Sequence, residues 1–138
     1  MEDRLEINDL YARYAHAFDS NSVEEWAHLF TPDGVFRLEG RGELVGRAAL
    51  MEFALGRNGA TPNISHHTTN VIADETSEGA DGRAYAVAFR SDSDSIRMVN
   101  VGRYADKLVK YEGAWRFAER HFTSWLPPEL LDAPVASL

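Results

Sequence analysis

The sequence contains no cysteine among its 138 residues. This excludes disulfide bonds, cysteine-ligated zinc and a thiol nucleophile, and it makes the cytoplasm the expected compartment. The first residues, Met1 to Arg4, are charged and lack the apolar core of a signal peptide. No apolar run approaches the roughly 20 residues that a membrane-spanning helix needs. We therefore expect no membrane partner.

Positive charge is also scarce: 14 Lys and Arg stand against 22 Asp and Glu, which gives a net charge of -8. Nucleic acids and anionic membranes bind basic patches, so a nucleic-acid partner is not expected. The hydrophobic share of 44% and the charged share of 26% are ordinary for a folded domain. The length predicts one domain over residues 1–138, with a core at about 3–125 and a C-terminal tail at 126–138.

Three helices are predicted in the first part of the chain. Apolar residues recur at steps of three and four from Arg4 to Phe18. Asp19 closes this helix, because aspartate is a poor residue inside a helix and a good one at its end. A second helix is predicted from Val23 to Phe30, followed by a turn at residues 31–34. Good helix formers predict a third helix at residues 48–55.

The remainder of the chain predicts strands separated by turns. Two short strands and four longer ones are expected at residues 35–39, 43–45, 64–73, 83–90, 96–109 and 114–122. Glu112-Gly113 is a hairpin signal, and residues 74–82 are predicted to form a loop. Helices followed by antiparallel strands indicate an α+β fold. One curved sheet with the helices on its concave side would leave a pocket beside the first helix.

The strand around Ser65–Ala73 carries the most informative polar pattern. Because side chains alternate along a strand, His66, Thr68 and Asn70 are predicted to share one face and His67 to lie on the other. Either this face is in water, with ordinary surface histidines, or it lines a cavity in which His66 is a base. A metal site is not expected, because the two neighbouring histidines point to opposite faces.

Several motifs occur along the chain in a fixed order: Tyr14…Phe18-Asp19-Ser20, Trp26…Leu29-Phe30-Thr31-Pro32-Asp33-Gly34-Val35-Phe36, His66-x-x-x-Asn70, Gly102-Arg103-Tyr104-x-Asp106 and Gly113-x-Trp115-Arg116-Phe117…Arg120. In this order they resemble the SnoaL-like branch of the nuclear transport factor 2-like superfamily, over about residues 3–125. The branch includes scytalone dehydratase, bile-acid dehydratase, lindane dehydrochlorinase, ketosteroid isomerase, polyketide cyclases and non-catalytic binding domains.

The resemblance implies a cone-shaped fold, in which a strongly bent antiparallel sheet wraps three helices around an apolar cavity. In dehydratase and dehydrochlorinase members, an aspartate ending the first helix pairs with a histidine on a facing strand. These positions fall on Asp19 and His66, which lies four residues before Asn70. The scytalone dehydratase phenol is replaced by Phe18, and its second catalytic histidine has no counterpart near residues 91–92. Tyr14 lies on the helix that corresponds to the one carrying the tyrosine of ketosteroid isomerase.

The expected function is therefore that of a cofactor-independent lyase or isomerase, of dehydratase type, acting on a small apolar or ring-containing ligand. The catalytic candidates are Asp19, His66 and Tyr14, and no metal or cofactor is expected. The substrate-binding candidates are Phe18, Trp26, Phe30, Asn70, Tyr104 and Arg120. The alternatives are a non-catalytic small-molecule binding protein and an interaction module with the same cavity. In either case a homodimer or homotrimer is expected.

Several of these residues also have a structural interpretation. Tyr14 in an apolar stripe is more often a core residue whose hydroxyl is satisfied. Tyr104 would then pack in the sheet, and Asp106 and Arg120 would form a structural ion pair, which we favour over catalysis. His16, three residues before Asp19, is a rival partner for that carboxylate.

Overall fold

The computed structural model describes residues 2–60 and 63–127, so residues 128–138 of the predicted tail lie outside the described part. The described chain forms three helices and six strands. The helices are α1 (Glu2–Asp19), α2 (Val23–Ala27) and α3 (Arg47–Ala60). The strands are β1 (Phe30–Leu38), β2 (Gly42–Val45), β3 (Ile64–Glu75), β4 (Ala80–Ser91), β5 (Ile96–Tyr111) and β6 (Ala114–Ser124). The predicted α+β class is confirmed.

The six strands form one curved sheet in the order β2-β1-β6-β5-β4-β3. Every neighbouring pair is antiparallel except β1 and β6, which run parallel. The long strands β3 to β6 follow one another in the chain and pair as a meander. The helices pack on one face, where α1 contributes the buried side chains Ile7, Leu10, Tyr11 and Tyr14. No helix in the described ranges is long and apolar enough to cross a membrane.

The inward face of β4 explains where space remains between sheet and helices. Its consecutive buried positions are Ala80, Gly82, Ala84, Ala86 and Ala88. Such small side chains do not reach the helices opposite, so larger residues from α1, β1 and β5 fill most of the gap. A pocket is left at the end of the sheet where that filling is incomplete.

Three predicted boundaries are corrected by tertiary packing. The second helix ends at Ala27 rather than at Phe30, because Phe30 is fully buried and pairs with Phe117 of β6. The turn predicted at residues 31–34 lies within β1, where it appears as a register shift between Phe30 and Val35. The third helix continues to Ala60, beyond its predicted end at residue 55.

The predicted hairpin at Glu112-Gly113 is confirmed, since both residues have positive φ angles of 52° and 81°, as a two-residue turn of type I′ requires. The loop predicted at residues 74–82 is much shorter. Asp74 pairs with Asp81 and Glu75 with Ala80 across the β3–β4 ladder, so only residues 76–79 form the connection. There the N–H of Thr76 donates to the carbonyl of Gly79.

Candidate active site

Asp19 and His66 meet where the end of α1 faces the beginning of β3. The Nδ1 atom of His66 lies 2.6 Å from Oδ1 of Asp19, and the backbone N–H of His66 donates to Oδ2 at 2.7 Å. The two side chains are sheltered, with 17% of His66 and 20% of Asp19 exposed. The predicted contact between these residues, 47 positions apart, is confirmed.

This contact determines which ring nitrogen is available for chemistry. An ionised carboxylate only accepts hydrogen bonds, so it holds the proton of a neutral imidazole on Nδ1. Nε2 is then the basic nitrogen. His66 lies on the wall of a cavity, whereas Asp19 stands behind it as the orienting group. The pair has the arrangement of a base and its positioning carboxylate.

The cavity has a volume of about 50 Å³. A single water needs roughly 10–15 Å³ measured in this way, so the space suits a small molecule. Its wall is mainly aromatic and aliphatic, with a few polar groups. The lining residues are Tyr14, Phe18, Phe36, Leu38, Phe53, Arg57, His66, Ala86, Val87, Ala88, Asn100, Tyr104 and Phe122.

Three of the aromatic candidates lie on this wall, and two do not. Tyr14, Phe18 and Tyr104 line the cavity, and the ring of Phe18 meets the imidazole of His66 edge-on at a centroid distance of 5.3 Å. Trp26 and Phe30 are fully buried in the aromatic core behind the wall. Trp26 packs against Phe18 at 5.2 Å, so it supports a wall residue without reaching the cavity itself.

Tyr14 and Tyr104 contribute two phenols to the wall of the cavity that His66 also lines. Their rings pack edge-to-face at 5.9 Å. Burial raises the pKa of Tyr14 well above its ordinary value and also raises the pKa of Tyr104. Both therefore stay protonated at neutral pH, when a phenol can donate a hydrogen bond to an oxygen of a ligand.

Arg120 lies behind these phenols and does not line the cavity. It is fully buried, and its Nε and Nη2 donate to Asp106 at 2.9 and 3.1 Å. Tyr11 donates to the same carboxylate, and the guanidinium stacks over the ring of Tyr104 at 3.4 Å. The predicted Asp106–Arg120 ion pair is confirmed, and this placement does not support Arg120 as a ligand-contacting residue.

Asn70 is the residue that the sequence pattern misplaced. It has a positive φ of 57°, and the β3–β4 register shifts between Thr69 and Ile72. This bulge reverses the alternation, so Asn70 is exposed while Val71 packs against the core. The prediction that Asn70 shares the face of His66 is wrong, because one left-handed residue inverts every later position of the strand.

The rival interpretations of the histidines are not supported by the structure. His16 is exposed, and the carboxylate of Asp19 binds His66. His67 faces the other side of the sheet, where its Nε2 lies 3.0 Å from the hydroxyl of Ser65. Across residues 2–60 and 63–127, no group of three or more histidine and acidic side chains could hold a metal ion.

Two polar wall residues escaped the sequence-based prediction. Asn100 is buried within β5, where its Oδ1 accepts hydrogen bonds from the N–H of Val101 at 2.9 Å and from the hydroxyl of Ser124 at 2.6 Å. The residue also lines the cavity. The available signal was a single amide in the apolar run Met98-Val99-Asn100-Val101.

Arg57 was missed because the third helix was predicted to end before it. With the helix extended to Ala60, Leu50, Ala54 and Arg57 fall on one buried stripe at steps of four and three. Burial, reinforced by the nearby charge of Arg41, lowers the pKa of Arg57 to about 10. The group therefore remains a cation at neutral pH.

Comparison with known proteins identifies relatives of the whole chain. The sequence profile of the SnoaL-like domain matches residues 1–121, whereas no curated protein sequence matches. A variant of Rv3472 from Mycobacterium tuberculosis, a protein of unknown function, is 30% identical with a TM-score of 0.86, covering 98% of this chain and 83% of its own. A provisionally assigned scytalone dehydratase from Novosphingobium aromaticivorans is 25% identical with a TM-score of 0.80, covering 90% and 85%.

A provisionally assigned aromatic ring hydroxylase from Novosphingobium aromaticivorans is also similar. It is 30% identical with a TM-score of 0.79, and the match covers 91% of each chain. Proteins with such different assigned activities share this fold, so the fold by itself does not identify a reaction.

Proposed function

Because the chain belongs to the family of SnoaL-like domains, we propose that it is a cofactor-independent lyase or isomerase in which His66, oriented by Asp19, acts as a general base. The observation that supports this most is the 2.6 Å contact between Nδ1 of His66 and Oδ1 of Asp19, with the imidazole on the wall of a cavity. A pairing that served stability alone would not require His66 to line a cavity.

The reaction begins with transfer of a proton from carbon to Nε2 of His66. The carbon must lie next to an electron-withdrawing group, such as a carbonyl, for its proton to be acidic enough. The electrons of the C–H bond form a double bond to the neighbouring carbon, and hydroxide or halide leaves from that carbon with its bonding pair. In dehydration the imidazolium returns its proton to the departing hydroxide and water is released. In isomerisation no group leaves: the electrons of the C–H bond are held on the carbonyl oxygen as an enolate, and the proton then returns to a different carbon.

Asp19 stabilises the imidazolium that forms during this transfer, because its negative charge lies next to Nδ1. Tyr14 and Tyr104 are proposed to donate hydrogen bonds to the carbonyl or the leaving group. The aromatic side chain of Phe18 packs against the imidazole and limits the water around it. Trp26, Phe30 and Arg120 hold this wall in place from behind.

The test uses His66→Gln with His67→Gln as its matched control, since the neighbouring histidine lies on the opposite face. A panel of small β-hydroxy and β-halo carbonyl compounds is assayed for alkene formation by ultraviolet absorbance. We expect His66→Gln to lower turnover by about 100- to 10,000-fold and His67→Gln to leave it nearly unchanged. Deuterium at the carbon that loses the proton should slow the reaction.

Equal turnover in the His66→Gln and wild-type proteins would reject the catalytic role. Binding of panel compounds without any turnover would favour the alternative, a small-molecule binding protein with the same cavity. Both outcomes are measured on folded protein, which circular dichroism confirms for each variant.

We also propose that the chain forms a homodimer or homotrimer through the outer face of the sheet. Tyr85, Met98 and Trp125 are about half exposed there, at 50%, 52% and 52%, and the rings of Tyr85 and Trp125 pack together at 5.4 Å. Exposed apolar side chains that adjoin one another are typical of an interface. Light scattering during gel filtration should give a multiple of 15.4 kDa, and Tyr85→Asp should reduce that mass. A monomer at high concentration would contradict this assembly.

A further inference from the structure

Arg57 brings a permanent positive charge to the wall of the cavity. It lies on α3, its side chain is buried with the residue only 3% exposed, and it borders the same space as His66. Among the described wall residues it is the one whose side chain is charged at every pH near neutrality. This places a cation at the edge of a small, mainly apolar cavity.

An aromatic pair separates this cation from the base. The guanidinium carbon of Arg57 lies 4.7 Å from the ring centre of Phe53. The rings of Phe53 and Phe18 are 6.3 Å apart, and Phe18 in turn lies 5.3 Å from the imidazole of His66. The cavity therefore has a cationic end at α3 and a basic end at β3, with two phenylalanine rings along the wall between them.

A second guanidinium strengthens the positive end. Arg41, in the β1–β2 turn, is half-buried and close enough for its charge to oppose that of Arg57. Burial lowers the pKa of Arg41 itself, and its Nε is buried without a hydrogen-bond partner among the described residues. Two like charges in a partly dry environment raise the local potential, which favours an anion beside them.

We propose that Arg57 binds the ionised carboxylate of the substrate, and that the natural substrates are therefore small organic acids. This inference rests on the proposed function, in that it takes the cavity as the site of reaction. A guanidinium forms two parallel hydrogen bonds with a carboxylate, which fix orientation as well as affinity. With the carboxylate at Arg57, the body of the acid lies along Phe53 and Phe18, and the far carbon comes to Nε2 of His66.

The charge at each end also determines which way round the acid binds. Asp19 places a carboxylate behind His66, so an anionic group at that end of the cavity would be repelled. The same group at Arg57 is attracted by two guanidinium groups. A neutral amide or ester of the same shape is neither repelled by Asp19 nor attracted by the guanidinium groups. We therefore expect it to bind more weakly than the acid.

The experiment compares benzoate with benzamide, which have nearly the same shape and differ in charge. Binding to the complete chain is measured by isothermal titration calorimetry near neutral pH. We expect benzoate to bind at least tenfold more tightly than benzamide. Arg57→Met should bring the two affinities within about twofold of each other, mainly by weakening benzoate, whereas Arg57→Lys should keep part of the preference.

Arg13→Met is the matched control, because Arg13 is exposed on α1 and forms its ion pair with Asp9. It should keep the preference of the wild-type protein. Equal binding of the two probes by the wild-type protein, or an Arg57→Met variant that binds benzoate as tightly as the wild-type protein does, would overturn the proposal. If Arg57→Met does not fold, the wild-type protein and Arg57→Lys still test the proposal. A wild-type protein without a preference for benzoate over benzamide would contradict it, and so would an Arg57→Lys variant that keeps the full preference.

The outcome is separable from that of the proposed function. Asp19→Asn should abolish most turnover of the β-hydroxy carbonyl panel while benzoate remains preferred over benzamide. Unchanged turnover in Asp19→Asn would count against the general-base mechanism alone. A wild-type protein that does not prefer benzoate over benzamide would count against the carboxylate-binding role of Arg57 alone.

Discussion

The carboxylate of Asp19 holds His66 through two different groups. One oxygen lies 2.6 Å from the ring Nδ1 and the other accepts the backbone N–H at 2.7 Å. The last residue of α1 is thereby joined to the beginning of β3, and the same contact orients the imidazole. Asp19 therefore contributes both to the stability of the fold and to the orientation of the His66 imidazole.

Asp19→Asn should therefore affect both properties, to different degrees. The amide keeps one acceptor oxygen but loses the charge that stabilises an imidazolium, so we expect turnover to fall by about 100- to 10,000-fold. The free energy of unfolding should fall by only about 1–2 kcal/mol, since the side chain is partly exposed and a hydrogen bond to a charged group contributes roughly 1.5–3 kcal/mol. Steady-state kinetics and urea unfolding measure the two effects. His16→Gln, on the exposed side of the same helix, should change neither.

Breaking the buried ion pair between Asp106 and Arg120 should be far more costly. Both side chains are fully buried, and removal of one partner leaves an uncompensated charge, which costs about 3–5 kcal/mol. Asp106→Asn and Arg120→Met should each lower the free energy of unfolding by that amount. The double variant Asp106→Asn/Arg120→Met should lose less than the sum of the two single effects.

The control for this experiment is the exposed ion pair between Asp74 and Arg83 on the sheet edge. Arg83→Met should change stability by less than about 1 kcal/mol, because solvent screens exposed pairs. Similar losses at the buried and the exposed pair would show that the buried network contributes less than we infer.

The buried phenols should make the protein sensitive to alkali. Burial raises the pKa values of Tyr11, Tyr14 and Tyr104 above the ordinary value of 10.0, so the folded state keeps protons that the unfolded chain releases. Their contribution to stability is complete below pH 10 and is lost as the pH rises above it. Above pH 10 the free energy of unfolding should fall by about 1.4 kcal/mol per pH unit for each phenol. For all three together the fall should be about 4 kcal/mol per pH unit.

Urea unfolding between pH 9 and 11.5 measures this slope, and tyrosinate absorbance should show three phenols that titrate only as the chain unfolds. Tyr104→Phe should reduce the slope by about a third. A stability that does not vary over this range would contradict burial of the three hydroxyl groups.

Gly102→Ala tests the close approach of β5 and β6. A Cβ atom at this position would lie 2.1 Å from the carbonyl oxygen of Thr123 and 2.9 Å from the ring of Phe122. We expect a loss of about 1–3 kcal/mol, typical of an overpacked site. Gly56→Ala is the control, because none of the described residues comes within 4 Å of its Cβ position, and alanine within a helix should stabilise by about 0.5–1 kcal/mol. Thermal unfolding of both variants measures the difference.

Local sequence signals predicted the elements whose patterns agree with their packing. The apolar stripe that ends at Asp19 and the Glu112-Gly113 hairpin were both found where they were expected. Where a local signal and tertiary packing disagreed, packing prevailed: Phe30 joins β1 despite the following turn residues, and α3 continues through its glycines. The burial of Phe30 in the core outweighs the preferences of a few residues.

The sequence alone determined the α+β class, because that class follows from the periodicity of its apolar residues. The resemblance of its motifs to the SnoaL-like family implied the pairing of Asp19 with His66, and the ion pair between Asp106 and Arg120 was also predicted from the sequence. Only the tertiary structure decided which of the candidate residues reach the cavity. The bulge at Asn70 turned one candidate outward, and the core enclosed Trp26, Phe30 and Arg120. The extended α3 brought Arg57 to the wall. These outcomes depend on distant strands and helices packing together, and no local pattern of residues encodes that geometry.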